Sequence, residues 1–196
     1  MKKTLYLMRH GQTLFNRLEK IQGWCDSPLT ELGVKQAQVA ANYFKSHQIA
    51  FDHAYCSTAE RAADTLEIVT EGKVSYTRKK GLKEFYFGEM EGESQRNNPP
   101  YFPYEEYFKT FGGENDTEFY ERILPAFCEI MEEDDHKTVL VVTHGVVCYY
   151  FLKYWGGIAE ERYKEGINNC CILKFEYENH SFSCVDIINH DFSLIV

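Results

Sequence analysis

Two short apolar runs, Leu5-Tyr6-Leu7-Met8 and Val139-Leu140-Val141-Val142, each lead into a histidine followed by a glycine, and this repeated ending constrains the chain more than any other feature. Four apolar residues between polar ones read as a buried strand, and a glycine beyond them as a sharp turn. Strands rich in β-branched residues that alternate with helical segments imply a mostly parallel sheet covered on both faces. Such sheets bind ligands at the carboxyl ends of their strands. Arg9 and His10 after the first run, and His144 after the second, are therefore expected at one edge of the sheet.

An imidazole beside a guanidinium is unfavourable if both are charged, so the arginine is expected to keep His10 neutral and nucleophilic while awaiting an anion of its own. A phosphoryl group is the natural anion. Gly11 is read as admitting a ligand close to the backbone, without a Cβ in the way. A bare Arg-His-Gly strand end that simply faces solvent is the plainer alternative.

Between the two runs the polar segment Arg17–Pro28, broken by Gly23 and Pro28, reads as a loop over the end of the first strand that places Gln22, Gly23 and Trp24 near His10. Thr30 can cap a helix reaching about Ser46, with Ala37, Ala41 and Phe44 on one face. His53–Cys56 reads as a second strand. Ser57 and Glu60 after it have the spacing of a capping box, which puts Arg61 in the first turn of a helix. A cation there gains most from an anion at the same helix end; a solvated surface arginine is the other reading.

Val74–Thr77 is expected as a third strand leading to Glu84, whose aromatic neighbours Phe85, Tyr86 and Phe87 suggest a partly desolvated acid with a raised pKa. Glu84 is preferred over Glu89 and Glu91 in that role. Residues 94–115 are too broken by proline and glycine for a core element and too aromatic for a linker, so they read as a packed flap over the site, or as rings on the edge of the sheet. Asp116 to about Glu133 is expected to be helical, with a kink near Pro125. A helix over Val146–Trp155 has its N-terminus at the pocket, and residues 170–176 and 182–188 form two closing strands across Asn179-His180.

A chain of 196 residues that is 44% hydrophobic can bury one substantial core, so one domain over 1–196 is expected. The net charge of −9 argues against nucleic acid or an anionic membrane as partner. With no apolar run of bilayer length and no signal-peptide pattern, the expected location is the cytoplasm. Seven cysteines without C-x-x-C spacing read as reduced core thiols, not zinc ligands.

Taken in order, Arg9-His10-Gly11-Gln12-Thr13 with Asn16, Ser57-x-x-x-Arg61-Ala62, Glu84 ahead of Gly88-x-x-Glu91-Gly92, Gly112-Gly113-Glu114, and Thr143-His144-Gly145 resemble the histidine phosphatase superfamily, the phosphoglycerate mutase-like proteins. The resemblance implies a three-layer α/β/α sandwich with a mostly parallel central sheet. It also implies that His10 is phosphorylated during turnover, that Arg9, Arg61 and a protonated His144 bind the phosphoryl oxygens, and that Glu84 donates the proton. Gly11, Asn16, Gln22, Gly23, Gly145 and Val146 are the implied substrate-binding positions. No metal or cofactor is expected, because the two arginines and His144 can supply the positive charge. Phe85-Tyr86-Phe87 stands where the glycolytic mutases carry an arginine-histidine-tyrosine run. The leading expectation is therefore hydrolysis of a small phosphorylated metabolite, with a mutase as alternative and a non-catalytic phosphoester-binding protein as the reading from another class. Arg17, Lys20, Lys83 and Arg96 form a nearby basic set suited to a sugar phosphate, a nucleotide or a small phosphoacid.

Overall fold

The computed structural model describes residues 2–99, 104, 106–156 and 166–195. Strands β1 (Lys3–Arg9), β2 (His53–Cys56), β3 (Tyr76–Arg78), β4 (Thr138–Thr143), β5 (Ile172–Glu178) and β6 (Ser181–Ile188) form one sheet in the order β3-β2-β4-β1-β5-β6. The first four run parallel; β5 and β6 add an antiparallel hairpin beside β1.

Alternation along the strands divides the core in two. Leu5, Leu7, Val139 and Val141 face one cluster, and Tyr6, Met8, Leu140 and Val142 face the other. The chain places a short helix α1 (Leu14–Arg17) after β1, then α2 (Glu31–Ser46) and α3 (Glu60–Val69), and later α4 (Asp116–Glu132) and α5 (Gly145–Trp155). Phe44 of α2 and Leu66 of α3 pack into the second cluster, whereas Phe127 of α4 and Phe151 of α5 pack into the first, which gives the three-layer α/β/α sandwich. Burial on both faces explains why β4 reads as an unbroken apolar run.

Register decides what the sheet delivers at its edge. Arg9 lies opposite Thr143 and Cys56 opposite Val142, and the ladder runs one residue further, with His10 N–H donating to Thr143 O (2.9 Å) and Ser57 N–H to Val142 O (3.2 Å). His10, Ser57 and His144 therefore leave three adjacent strands side by side.

Several elements differ from expectation. Thr30 caps α2 as read, accepting from Gly33 N at 3.0 Å, but Ser57 and Glu60 make no capping box. Helix α3 starts at Glu60 with Ala59 as its unassisted N-cap. The free Glu60 N–H is taken instead by Asp26 Oδ2 (2.6 Å), and the Glu60 carboxylate pairs with Arg78. Strand β3 begins two residues later than expected, beyond the turn closed by Gly72 at a φ of +65°. The closing hairpin turns at Asn179 and His180, whose φ values of 52° and 60° fit the tight turn that matches strand twist. Helix α4 contains Pro125, its N-terminus held by an Asn115–Glu118 capping box. Within 94–115, Tyr104 and Phe108 are buried against Phe85 and Phe87, not on the sheet's edge; Pro100, Tyr101, Phe102 and Pro103 lie outside the described residues. Five of the seven cysteines are buried. Among the described residues no helix is long and apolar enough to cross a membrane.

Candidate active site

His10 sits at the floor of a cleft of about 250 Å³. Its Nδ1 lies 2.8 Å from Gly11 O, and a carbonyl only accepts, so Nδ1 carries the proton and Nε2 the lone pair. That lone pair faces Arg61 Nε at 3.3 Å. Burial, then Arg61, then Arg9 hold the His10 pKa well below the ordinary histidine value. Protection from protonation thus comes first from desolvation, with Arg61 ahead of the sequence neighbour Arg9.

Arg61 is fully buried, which disposes of the solvated alternative. Its Nη1 donates to Cys25 O (3.0 Å) and Asp26 Oδ1 (2.8 Å), and its Nη2 to Gly23 O (2.8 Å). Gln22 reaches Thr13 Oγ1 at 2.6 Å, in the orientation that turns its amide oxygen to Arg61 at 3.3 Å. Asp26, which nothing in the local sequence singles out, both anchors this guanidinium and caps α3.

Arg9 donates from Nη1 to Ile167 O (2.6 Å), while its enclosed Nε has no partner among the described residues. Its pKa is lowered by burial, against the pull of Glu84. A Cβ at Gly145 would stand 3.4 Å from that Nε, in van der Waals contact with the guanidinium. His144 is fully buried, 5.3 Å from His10 between ring centroids, with Nε2 on Ser57 Oγ at 2.6 Å. Ser57 Oγ accepts from Ala59 N–H (3.2 Å), and when its own proton is turned to Nε2 the ring proton of His144 lies on Nδ1. Nδ1 is enclosed without a partner among the described residues. Burial first, then Arg61, lower the His144 pKa well below the usual range. Burial and Arg61 thus oppose the protonated form expected of His144, and the neutral ring still presents an N–H. Two buried donors without acceptors, Arg9 Nε and His144 Nδ1, thus flank His10, and orphaned donors of this kind cost about 1–3 kcal/mol each unless an acceptor joins them.

Glu84 lies on the opposite wall, nearly inaccessible to solvent. Its Oε2 accepts from Val146 N (3.0 Å), and its Oε1 from Phe85 N (2.9 Å) and Val147 N (3.3 Å), so the carboxyl sits on the N-terminus of α5. Burial raises its pKa and outweighs those N–H bonds and the two arginines. Of the three candidate acids only Glu84 lines the cleft. Glu91 accepts from the N–H groups of Gly23, Trp24, Cys25 and Phe87, which ties the 22–26 loop to the Glu84 segment, and Glu89 is exposed.

The remaining implied binding positions divide. Asn16, Gln22, Gly145 and Val146 line the cleft, although the Val146 N–H is taken by Glu84. Gly11 and Gly23 do not. The Gly11 N–H is bound to Thr65 Oγ1 (3.1 Å), and a Cβ on Gly11 would stand 2.5 Å from Gly33 O; one on Gly23 would stand 2.2 Å from Phe85 O. Both glycines admit neighbouring backbone, not a ligand. Gln95, Asn98 and Tyr104, from the segment read as a flap over the site, also line the cleft, as does Tyr149 of α5, which the sequence does not single out. None of the four basic residues lines the cleft. Lys20 donates to Gly92 O, Lys83 lies over the Trp24 ring, Arg17 opens on a separate groove and Arg96 is exposed.

Among the described residues, one group of metal-type ligands comes together, His53, Asp135 and His136, beside the start of β2. Its two imidazoles stack in parallel 3.6 Å apart, so no point lies in both ring planes, and Asp135 already pairs with each ring.

The sequence pattern of the histidine phosphatase superfamily (branch 1) matches residues 5–190. A probable phosphoglycerate mutase from Proteus mirabilis is 30% identical over 190 residues, covering 89% of this chain and 85% of that protein. The crystal structure of a phosphoglycerate mutase from Bacillus anthracis superposes with a TM-score of 0.81 at 29% identity, covering 93% of this chain and 91% of that one. A phosphoserine phosphatase from Entamoeba histolytica, solved in complex with 3-phosphoglyceric acid, superposes with a TM-score of 0.78 at 25% identity, covering 98% and 100%. The fold is thus an α/β sandwich whose mixed, mostly parallel sheet carries an arginine and two histidines at its carboxyl edge. The chain belongs to the histidine phosphatase superfamily, branch 1, whose members include phosphatases and mutases acting on small phosphorylated metabolites.

Proposed function

We propose that this protein hydrolyses a small phosphomonoester through a phosphohistidine on Nε2 of His10. The observation that carries the reading is the pairing, across one cleft, of an unprotonated imidazole nitrogen beside Arg61 with a buried Glu84 whose pKa is raised. Substrate oxygens take the N–H groups of Arg9 Nε, His144 Nδ1 and Arg61. His10 Nε2 attacks phosphorus, the bond to the alcohol oxygen breaks, and Glu84 passes its proton to that oxygen. The resulting Glu84 carboxylate then takes a proton from water, whose oxygen attacks phosphorus as the P–N bond breaks. Inorganic phosphate, neutral His10 and protonated Glu84 result. Charge spreads over three equatorial oxygens in such a transfer, and fixed donors that need no reorganisation stabilise it best.

Similarity to phosphoglycerate mutases supports a second reading, in which an alcohol replaces water in the second half. Against it stands the cleft wall. Asn16, Gln22, Gln95 and Asn98 offer amides and Phe87, Tyr104 and Tyr149 offer rings, whereas the carboxylate of a phosphoglycerate calls for a cation, and the four nearby ones are placed elsewhere. Rapid acid-free quenching with a labelled substrate should trap acid-labile phosphate on the wild type and none on His10→Ala. Label on another residue type, or steady transfer to an alcohol in preference to water, would overturn the reading.

A further inference from the structure

The Gly112-Gly113-Glu114 motif plays no part in the chemistry above, yet it meets the segment that carries the acid. A Cβ on Gly113 would stand 2.5 Å from Tyr86 O, and Glu114 N–H donates to that same oxygen (2.8 Å), so this turn lies directly on residues 86–88. The Glu114 carboxylate accepts from Tyr86 N (3.0 Å) and from Arg122 Nε (2.7 Å) and Nη2 (2.8 Å). Arg122 uses its other three donors on carbonyls, Nη1 on Gly81 (3.1 Å) and Lys83 (2.9 Å), and Nη2 on Glu84 (3.0 Å). All five N–H groups are thus engaged, and every one serves the 81–86 segment or the carboxylate bound to it.

We infer that Arg122, held by Glu114, is a positioning residue for the general acid. Its geometry is that of a clamp. The Glu84 side chain leaves the backbone between two carbonyls pinned by one rigid guanidinium, so neither adjoining peptide can rotate without breaking a charge-assisted bond. Freed from the clamp, the carboxyl swings out of its dry seat on α5; it loses both its reach to the leaving oxygen and the desolvation that keeps it protonated. Lysine, with three donors on one nitrogen, cannot span the three carbonyls and the carboxylate together. The inference rests on Glu84 acting as the acid, and its test includes that role as a control.

The experiment is a double-mutant cycle of Arg122→Ala and Glu84→Gln, read on an alkyl phosphate and on p-nitrophenyl phosphate. Arg122→Ala should lower kcat on the alkyl phosphate by about 10²-fold, the scale of a misplacement near 1 Å. It should cost much less on the nitrophenyl ester, leave KM near the wild-type value, and move the alkaline limb of the pH profile to lower pH. In the Glu84→Gln background the same change should cost less than about threefold, because a residue acting through another adds nothing once that other is gone. Equal losses in both backgrounds, or on both substrates, would overturn the inference. If Arg122→Ala fails to fold, Arg122→Lys and Glu114→Gln decide by the same ratios. A Glu84→Gln variant that does not distinguish the two substrates sinks the acid itself, an outcome separable from failure of the clamp alone.

Discussion

Arg61 Nε stands 3.3 Å from His10 Nε2, so the nitrogen expected to attack phosphorus is also the one a cation guards. The contact orients the ring and raises the cost of protonating it. Once a phosphoryl group occupies Nε2, the same N–H has an oxygen within reach in place of a lone pair. In the proposed mechanism Arg61 would serve nucleophile and product with little movement, anchored as it is on its far side to Gly23, Cys25 and Asp26.

The pH dependence of turnover follows from two opposite shifts. The proposed mechanism requires His10 neutral and Glu84 protonated. His10 titrates well below the ordinary histidine range and Glu84 above the ordinary carboxyl range, so the window between the two limbs opens toward acid. Profiles of kcat/KM on an alkyl phosphate should hold through mildly acidic pH and fall on the alkaline side as Glu84 ionises. An acid limb at the ordinary histidine pKa, about 6.5, would contradict it.

Glu84→Gln should cut turnover of an alkyl phosphate about 10²- to 10⁴-fold and cost far less on p-nitrophenyl phosphate. The same change should alter how stability depends on pH. A carboxyl whose folded pKa is raised contributes stability that is complete below its unfolded pKa and lost as pH rises through the folded value. Thermal melts should thus show the variant gaining on wild type as pH rises from acid to neutral. A wild type that gained on the variant over the same rise would contradict the direction of the shift.

Gly11→Ala tests the packing role of that glycine. The added Cβ would stand 2.5 Å from the carbonyl of Gly33, backbone against backbone, where no side chain can turn aside. A loss of about 1–3 kcal/mol is expected, the usual cost of overpacking. Denaturant melts measure it directly, and unchanged stability would show that the strand end and α2 separate easily.

Asp26→Ala removes both a cap and an anchor. Losing the bond to Glu60 N–H should cost about 1 kcal/mol of stability. Releasing Arg61 should lower kcat/KM about tenfold or more, with both leaving groups affected alike because phosphoryl stabilisation, not proton donation, is impaired. A loss confined to the alkyl phosphate would place the effect on Glu84 instead.

Much of the architecture is legible because it depends on local pattern. The β4 run is buried on both faces and shows it, Thr30 caps the helix it precedes, and Asn179-His180 turns where the strands must reverse. Arg9, His10 and His144 are legible for the same reason, lying where two buried strands end. What escapes is set by contacts between distant segments. Ser57 reads as a cap because serine followed by Glu60 has that spacing, yet its hydroxyl is claimed by His144 from another strand. Asp26 caps a helix that begins 34 residues later. The charge state of His144 misleads for a related reason: its side chain types suggest a cation near phosphate, and only its complete burial beside Arg61 makes the neutral ring the cheaper form.

The parallel register of β1 against β4 has a consequence for how such a protein can diversify. Because Arg9 is paired with Thr143, the spacing of His10 and His144 is written in backbone hydrogen bonds between two inner strands, out of reach of any surface substitution. Gln95, Asn98 and Tyr104, which border the same cleft, come from a connecting segment outside the strands and helices of the sandwich. Selection for a new substrate can rework that segment while the transfer apparatus stays as it is. A graft of residues 94–104 onto a homologous scaffold should accordingly carry preference for the alcohol with it and leave the rate of phosphohistidine formation to the host.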